Sequence, residues 1–455
     1  SFTEKLVDLG RGIGFDNLPA EVVREAGRRL LDALGCMIAG AHGETTVAVR
    51  RVALGLGGVA ESSILGTRER TSCERAALVN GTALRFLDFM DGHPGPYPCH
   101  PCFNIPPLLA LAERVHASGK QLATAIVTGY EIMPRFQENS GLPDFGARGW
   151  AGSTNLSFSI PIAAAGLLNL NREQSLSALG MAVTHGNVLD ATSHGQIPMN
   201  KSILDGMTAA NAIVAALLAE QGISGPREVL EGSGGFAQAV AGSINYDGLV
   251  APIKRYKISE SYTKLYNTVK CGQTAVAAAY KLVRDNKLDW REIASIRIGF
   301  AQRDAKTQSR ESYARPQSRD TGNHSVRFCI AAALVDGQLT ADQFEPEKLR
   351  SPDILSLVDK SVVYADETLD VHWPAANPTT IIMRTSAGQE LTETMVFPPG
   401  HPNNVLPDDM LEQKFRQLTG KILSGDQISK VIEMTHRLEE LANVRELTDV
   451  LRPRS

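Results

Sequence analysis

The stretch Asn80–Asn104, NGTALRFLDFMDGHPGPYPCHPCFN, sets the reading of the whole chain. It holds two carboxylates (Asp88, Asp91), two imidazoles (His93, His100) and two thiols (Cys99, Cys102), with four prolines and two glycines among them. Proline fixes φ and disfavours helix in the residue before it, so 92–101 reads as an irregular loop. Upstream, 76–89 carries Ala77, Leu84 and Leu87 at helical spacing. Downstream, 105–112 begins a second apolar helix, with Asn104 as its expected N-cap and Pro106 in its first turn. The loop therefore joins two buried helices and bears polar groups that a plain connector does not need, which points to function. The helix start beside His100 and Asn104 also offers main-chain N–H groups to an anion.

Working outward, the helical spacing continues. Residues 20–39 place Val23, Leu30, Leu34 and Met37 on one face, and 121–136, 156–168, 173–183 and 207–221 read as further helices. Ala209, Ala210, Ala212 and Ala215 allow close helix approach. Near Tyr256 the pattern changes. Ile296, Ile298 and Phe300 alternate with polar or small residues, 361–364 is β-branched, and 380–383 pairs with 391–397 across Ser386-Ala387-Gly388, a hairpin signal. Helices are expected at 274–285 and 325–335. From Asp408 the chain turns helical again. The fold class is thus mainly α. A large all-helical domain is expected over 1–264 and 405–455, with a smaller inserted α+β lid domain over 265–404.

At 455 residues the chain exceeds one small core. It is 43% hydrophobic and 21% charged, as a folded globular protein should be. A net charge of -4 without a long basic run argues against nucleic acid. The opening residues lack the apolar core of a signal peptide, and the most apolar segment, 208–219, is too short to span a bilayer. Six scattered cysteines suit a reducing compartment. The expected location is the cytoplasm, or an organelle if a targeting segment has been removed.

Further polar islands follow. Thr192-Ser193-His194-Gly195 and Met199-Asn200-Lys201 lie between apolar helices, and a half-buried Lys201 could hold a carboxylate or act as a base. Tyr256–Lys270 brings three tyrosines and three lysines to the point where the pattern changes, which suits a cleft for an acidic substrate. Cys99, Cys102 and His93 are ligand types that zinc accepts, but no second CxxC pair exists, and no metal is expected. Gly232-Ser233-Gly234-Gly235 lacks the Lys-Ser/Thr of a phosphate loop and reads as a turn. His324 heads the helix at 325–335.

With these islands in hand, the sequence resembles the MmgE/PrpD family, which holds 2-methylcitrate dehydratase, cis-aconitate decarboxylase and iminodisuccinate epimerase. The resemblance covers nearly the whole chain. It is carried by LPAEVVREAGRRLLDALG at 18–35, NGTALRFLDFMD at 80–91, HPCFNIPPLLALAE at 100–113 and GYE at 129–131. KSILDGMTAANAIVAALLAEQGISGP at 201–226, GNHSVRFCIAAALVDG at 322–337 and PPGHPNN at 398–404 complete it. It implies a helical domain built from both chain ends, an inserted lid, a homodimer and chemistry that needs no metal or other cofactor. Asp88, His100 and Lys201 fall on family active-site positions. The sequence departs from the family pattern at Met90, Gly92, Ala151 after Trp150, and Cys271.

The expected function is that of a hydro-lyase acting on a small hydroxylated di- or tricarboxylic acid such as 2-methylcitrate. Loss of water beside a carboxylate needs a base, an acid and cations for the carboxylates. Asp88, His100 and Lys201 are the expected catalytic groups. Asp91, His93, Asn104, Arg148, Tyr262, Lys264, Cys271 and His324 are the expected substrate-binding groups. Decarboxylation of a cis-aconitate-like acid, epimerisation of a dicarboxylate, and an inactive ligand-binding relative are the alternatives.

Overall fold

The computed structural model describes residues 1–141, 145–146, 148–193 and 197–453. The chain divides into two compact units, one made of Ser1–Ser261 with Pro407–Ser455, the other of Tyr262–Leu406.

The first unit is helical. Its long elements are α1 (Phe2–Arg11), α2 (Ala20–Gly40), α3 (Glu44–Gly55), α4 (Cys73–Phe86), α5 (Ile105–Arg114), α6 (Gly119–Asn139), α7 (Leu156–Leu167), α8 (Arg172–His185) and α9 (Leu204–Glu220). A short α10 (Tyr246–Leu249) follows. One small antiparallel pair, β1 (Ser62–Ser63) and β2 (Arg70–Thr71), interrupts an otherwise all-helical unit. α7 shows why so much of this unit is interior: of its twelve residues only Gly166 is not buried. A helix apolar all round belongs inside other helices. α4 and α9 meet backbone to backbone. A Cβ on Gly81 would lie 2.8 Å from the Cα of Gly206, and a Cβ on Gly206 would lie 2.6 Å from the Leu78 carbonyl oxygen. Only glycine at both positions permits that approach.

The second unit is α+β. α11 (Lys270–Asn286) leads into β3 (Ile293–Phe300), followed by α12 (Gln302–Gln308), α13 (Arg319–Gly322), α14 (Val326–Asp336), α15 (Pro346–Leu349) and α16 (Pro352–Asp359). β4 (Ser361–Ala365), β5 (Thr379–Thr385) and β6 (Glu390–Met395) complete a sheet of order β4-β3-β5-β6. β3 runs parallel to β4 and antiparallel to β5, and β5–β6 is the expected hairpin, with Gly388 at φ +86 in its turn. The alternation read in β3 is the core face: Ile296, Ile298 and Phe300 are fully buried with Ile381 and Met383. They pack in one core with Ala275, Ala279 and Leu282 of α11 and Phe328 of α14.

The chain then returns to the first unit as α17 (Asp408–Thr419), α18 (Gly425–His436) and α19 (Arg445–Val450). α17 and α18 pack on α2. No helix among the described residues is long and apolar enough to cross a membrane.

Candidate active site

The opening stretch folds as helix, irregular loop, helix. α4 ends at Phe86, and Asp88 adopts a left-handed backbone at φ +51. That conformation costs a non-glycine residue about 1 kcal/mol and persists where the surroundings impose it, commonly at functional sites. The Asp88 amide donates to the Arg85 carbonyl at 2.9 Å. The loop beyond is pinned at several points. The His93 amide donates to the Cys99 carbonyl at 2.9 Å, Asn155 donates to the Tyr97 hydroxyl at 3.1 Å, and Gln137 donates to the Tyr97 carbonyl.

His100 is half-buried at the loop's end. Its Nδ1 lies 2.7 Å from the main-chain oxygen of Asp91. A carbonyl only accepts, so Nδ1 carries a proton, and in the neutral ring Nε2 holds the lone pair. The imidazole sits edge-on to Phe103 at 6.1 Å between centroids, and the Arg85 guanidinium lies 5.9 Å from the same ring. An imidazole and a guanidinium thus both stand beside Phe103.

Arg85 and Asp205 come together because of the Gly81–Gly206 crossing. Arg85 follows Gly81 by one turn of α4, and Asp205 directly precedes Gly206. Arg85 Nη1 lies 4.0 Å from Asp205 Oδ2, and Ser153 Oγ donates to Asp205 Oδ1 at 2.6 Å. Burial raises the Asp205 carboxyl above its ordinary value, opposed by Arg85, Ser153 and Lys201 and assisted by Asp88. Asp205 therefore stands in the electrostatic field of both Lys201 and Asp88. Lys201 is half-buried, in a short 3-10 turn (Met199–Ser202) before α9. Arg85, Asp88, His100, Ser153, Lys201 and Asp205 form the candidate site. Asp205 and Ser153 were not singled out from sequence. The signal was present in the i, i+4 spacing of Lys201 and Asp205 across a helix start.

Several expected binding groups are committed elsewhere. Asp91 is 1% exposed. Its carboxylate accepts from Tyr130 Oη at 2.6 Å and the Cys102 amide at 3.2 Å, and Arg29 lies 3.7 Å away. The anion expected at this helix start is thus the chain's own. Asn104 is fully buried and does not cap α5. A 3-10 turn (Pro101–Asn104) runs directly into the helix and leaves Asn104 in the right-handed region, so its side chain turns back to the Pro101 carbonyl at 2.9 Å. The His93 ring, 4% exposed, bridges Ser261 Oγ (3.2 Å) and Glu138 Oε1 (3.0 Å). Arg148 is exposed and donates to the Ala241 carbonyl at 3.1 Å, at the end of a short π-helical turn. His194 lies outside the described residues.

Tyr262, Lys264, Cys271 and His324 belong to the second unit. Tyr262 and Lys264 are buried. Lys264 follows Thr263, whose amide pairs with the Gly400 carbonyl in the 398–404 turn. Cys271, expected to line a cleft, instead packs into the apolar core of this unit, where burial pushes its thiol well above the usual range. His324 turns its Nδ1 to the Asp320 carbonyl at 2.7 Å, and Ser325, not His324, caps α14.

Cys99 and Cys102 are buried thiols raised by desolvation. Among the described residues the groups spaced to hold a cation are His93–Glu138–Glu260 and Glu61–Cys73–Glu74. In the first, the Lys257 ammonium already sits 3.0 Å from Glu138 and 2.8 Å from Glu260.

Comparison with known proteins agrees with this layout. Residues 4–248 match the MmgE/PrpD N-terminal domain and residues 266–440 the MmgE/PrpD C-terminal domain. The chain is 26% identical over 458 residues to the cis-aconitate decarboxylase-like protein oryM of Aspergillus oryzae, covering 95% of this chain and 93% of that one. It is 27% identical over 485 residues to the cis-aconitate decarboxylase of Homo sapiens, covering 99% and 95%. It is 25% identical over 467 residues to the mitochondrial 2-methylcitrate dehydratase of Yarrowia lipolytica, covering 96% and 88%.

Proposed function

Because the chain belongs to the MmgE/PrpD family, we propose that it is a lyase that dehydrates a small hydroxylated di- or tricarboxylic acid such as 2-methylcitrate. The observation that carries this reading is the pairing of Arg85 with Asp205 within the fields of Lys201 and Asp88, beside the Phe103 ring that the His100 imidazole also approaches. His100 Nε2 removes a proton from the carbon beside a substrate carboxylate. The C–O bond then breaks, a double bond forms, and the hydroxyl leaves as water with a proton from the enzyme. Arg85 and Lys201 hold carboxylates and the enolate-like charge. Asp88 is the second proton-transfer group, and Asp205 orients Arg85 and Lys201.

Decarboxylation is the second reading, favoured by the likeness to proteins named cis-aconitate decarboxylase. The two reactions are separated by incubating the protein with 2-methylcitrate and with cis-aconitate. Growth of double-bond absorbance without gas supports dehydration, and carbon dioxide from cis-aconitate supports decarboxylation. Neither product from either acid would remove the reading. A homodimer belongs to the same proposal. α9 leaves Met207, Val214 and Leu218 exposed at 48%, 40% and 43% opposite its buried alanines, a stripe that a second copy would cover. Light scattering on Val214→Glu tests it, and an unchanged mass would count against this face.

A further inference from the structure

The loop that carries Asp88 and His100 rests on a buried group from the far end of the chain. Lys414 of α17 donates to Asp32 Oδ1 of α2 at 2.6 Å and to the Phe89 carbonyl oxygen at 2.9 Å. Its ammonium also lies 4.1 Å from the centroid of the Phe89 ring. Lys414 and Asp32 are each 3% exposed.

Stability alone is a poor explanation for this pair. Desolvating two ions offsets most of their attraction unless every polar atom is satisfied. Here Asp32 Oδ2 makes no hydrogen bond. The contact to Phe89 has a clearer consequence. Phe89 follows Asp88, whose left-handed backbone needs outside support. With its carbonyl oxygen and its ring both held, Phe89 is fixed directly after Asp88, and so is the peptide that leads on to Met90. Met90, fully buried, then connects to Asp91, whose carbonyl orients His100. Arg29 of α2 lies 3.7 Å from the Asp91 carboxylate. Lys414 and Arg29, with the carboxylates of Asp32, Asp91 and Glu25, thus form an ionic floor, and main-chain oxygens of 89 and 91 connect it to the two proton-transfer groups.

We propose that Lys414 is a positioning residue of this site: it sets Asp88, and through residues 89–91 the His100 ring, without touching substrate. The proposal rests on the lyase reading above. Two double variants test it. Asp32→Asn with Lys414→Met removes both buried charges and the donor to Phe89. Asp32→Asn with Lys414→Gln removes both charges but keeps an N–H donor. Neither leaves an uncompensated ion, so both should fold.

The expected result is a fall in kcat of about thirtyfold or more for the methionine variant with KM little changed, and recovery to within about fivefold of wild type for the glutamine variant. Equal activity in the two variants would overturn the proposal, as would a KM effect without a kcat effect. A second readout needs no turnover. The imidazole nitrogen-15 shifts of His100, assigned with His100→Gln, should report the Nδ1–H form in wild type and the glutamine variant, and a tautomer mixture in the methionine variant. Identical His100 spectra in all three would overturn the proposal. If wild type acts on no polycarboxylate while the spectra differ as expected, the lyase reading fails and the positioning role of Lys414 stands.

Discussion

The Nδ1 of His100 lies 2.7 Å from the main-chain oxygen of Asp91, a residue whose own side chain is buried among Tyr130, Cys102 and Arg29. The proposed base is therefore oriented by backbone, and the Asp91 carboxylate, bonded to Tyr130 and the Cys102 amide, holds that backbone in place. His100→Ala should lower turnover by about 100-fold or more, in the range of a lost general base. Cys271→Ser, in the apolar core of the second unit, should leave turnover within about threefold. Steady-state kinetics on the same substrate check both, and the reverse pattern would point to a thiolate mechanism.

Lys201→Ala should lower turnover by about tenfold or more, roughly 1.4 kcal/mol of transition-state stabilisation. A folded variant with full activity would exclude this lysine from the chemistry.

Gly81→Ala should destabilise the first unit by about 2 kcal/mol through overpacking at the α4–α9 crossing, although alanine is the better helix former. The added Cβ would stand 2.8 Å from Gly206 Cα, and relieving it moves Arg85 away from Asp205. Urea unfolding measures the stability change. A gain in stability would show that the helices yield freely there.

Burial holds the Asp205 carboxyl above its ordinary value of 3.8. As pH rises, the folded protein keeps this proton longer than the unfolded chain does. The stability so contributed is complete below the unfolded value and is lost as pH climbs through the folded one. Unfolding free energy of wild type relative to Asp205→Asn should thus fall from about pH 4 upward and then level off. A flat difference across that range would show that Asp205 titrates alike in both states.

All six cysteines are buried thiols in no disulfide. Burial raises Cys73 and Cys329 to about 12, and Cys99, Cys102 and Cys271 well above the usual range. An aromatic disulfide reagent at about pH 8 should label these five only on unfolding. Rapid labelling of the native protein would contradict their burial.

Much of the fold was legible because its signals are local. The period of α2 and α6, the alternation in β3 and the Gly388 turn depend on neighbours in sequence alone. The candidate site was half legible. Asp88, His100 and Lys201 stand out because they are polar residues between apolar helices. Asp205 was missed because its role depends on a glycine contact between helices that are far apart in sequence. Asn104 looked like a cap because the sequence does not reveal that the 3-10 turn before it is already helical. Asp91 and Cys271 have the right chemistry for a site, but their packing turns them inward, and packing direction is not written in composition or spacing.

The return of α17 and α18 to α2 also has a consequence for how the chain is made. α2 leaves the ribosome early, and the helices that cover it emerge only after most of the chain has been translated. Until then its apolar side lacks those two partners. The segment 262–406 has its own core and is complete sooner. Nascent chains stalled before α17 should accordingly protect the later-made unit from protease while the earlier-made one stays open to digestion and to chaperones.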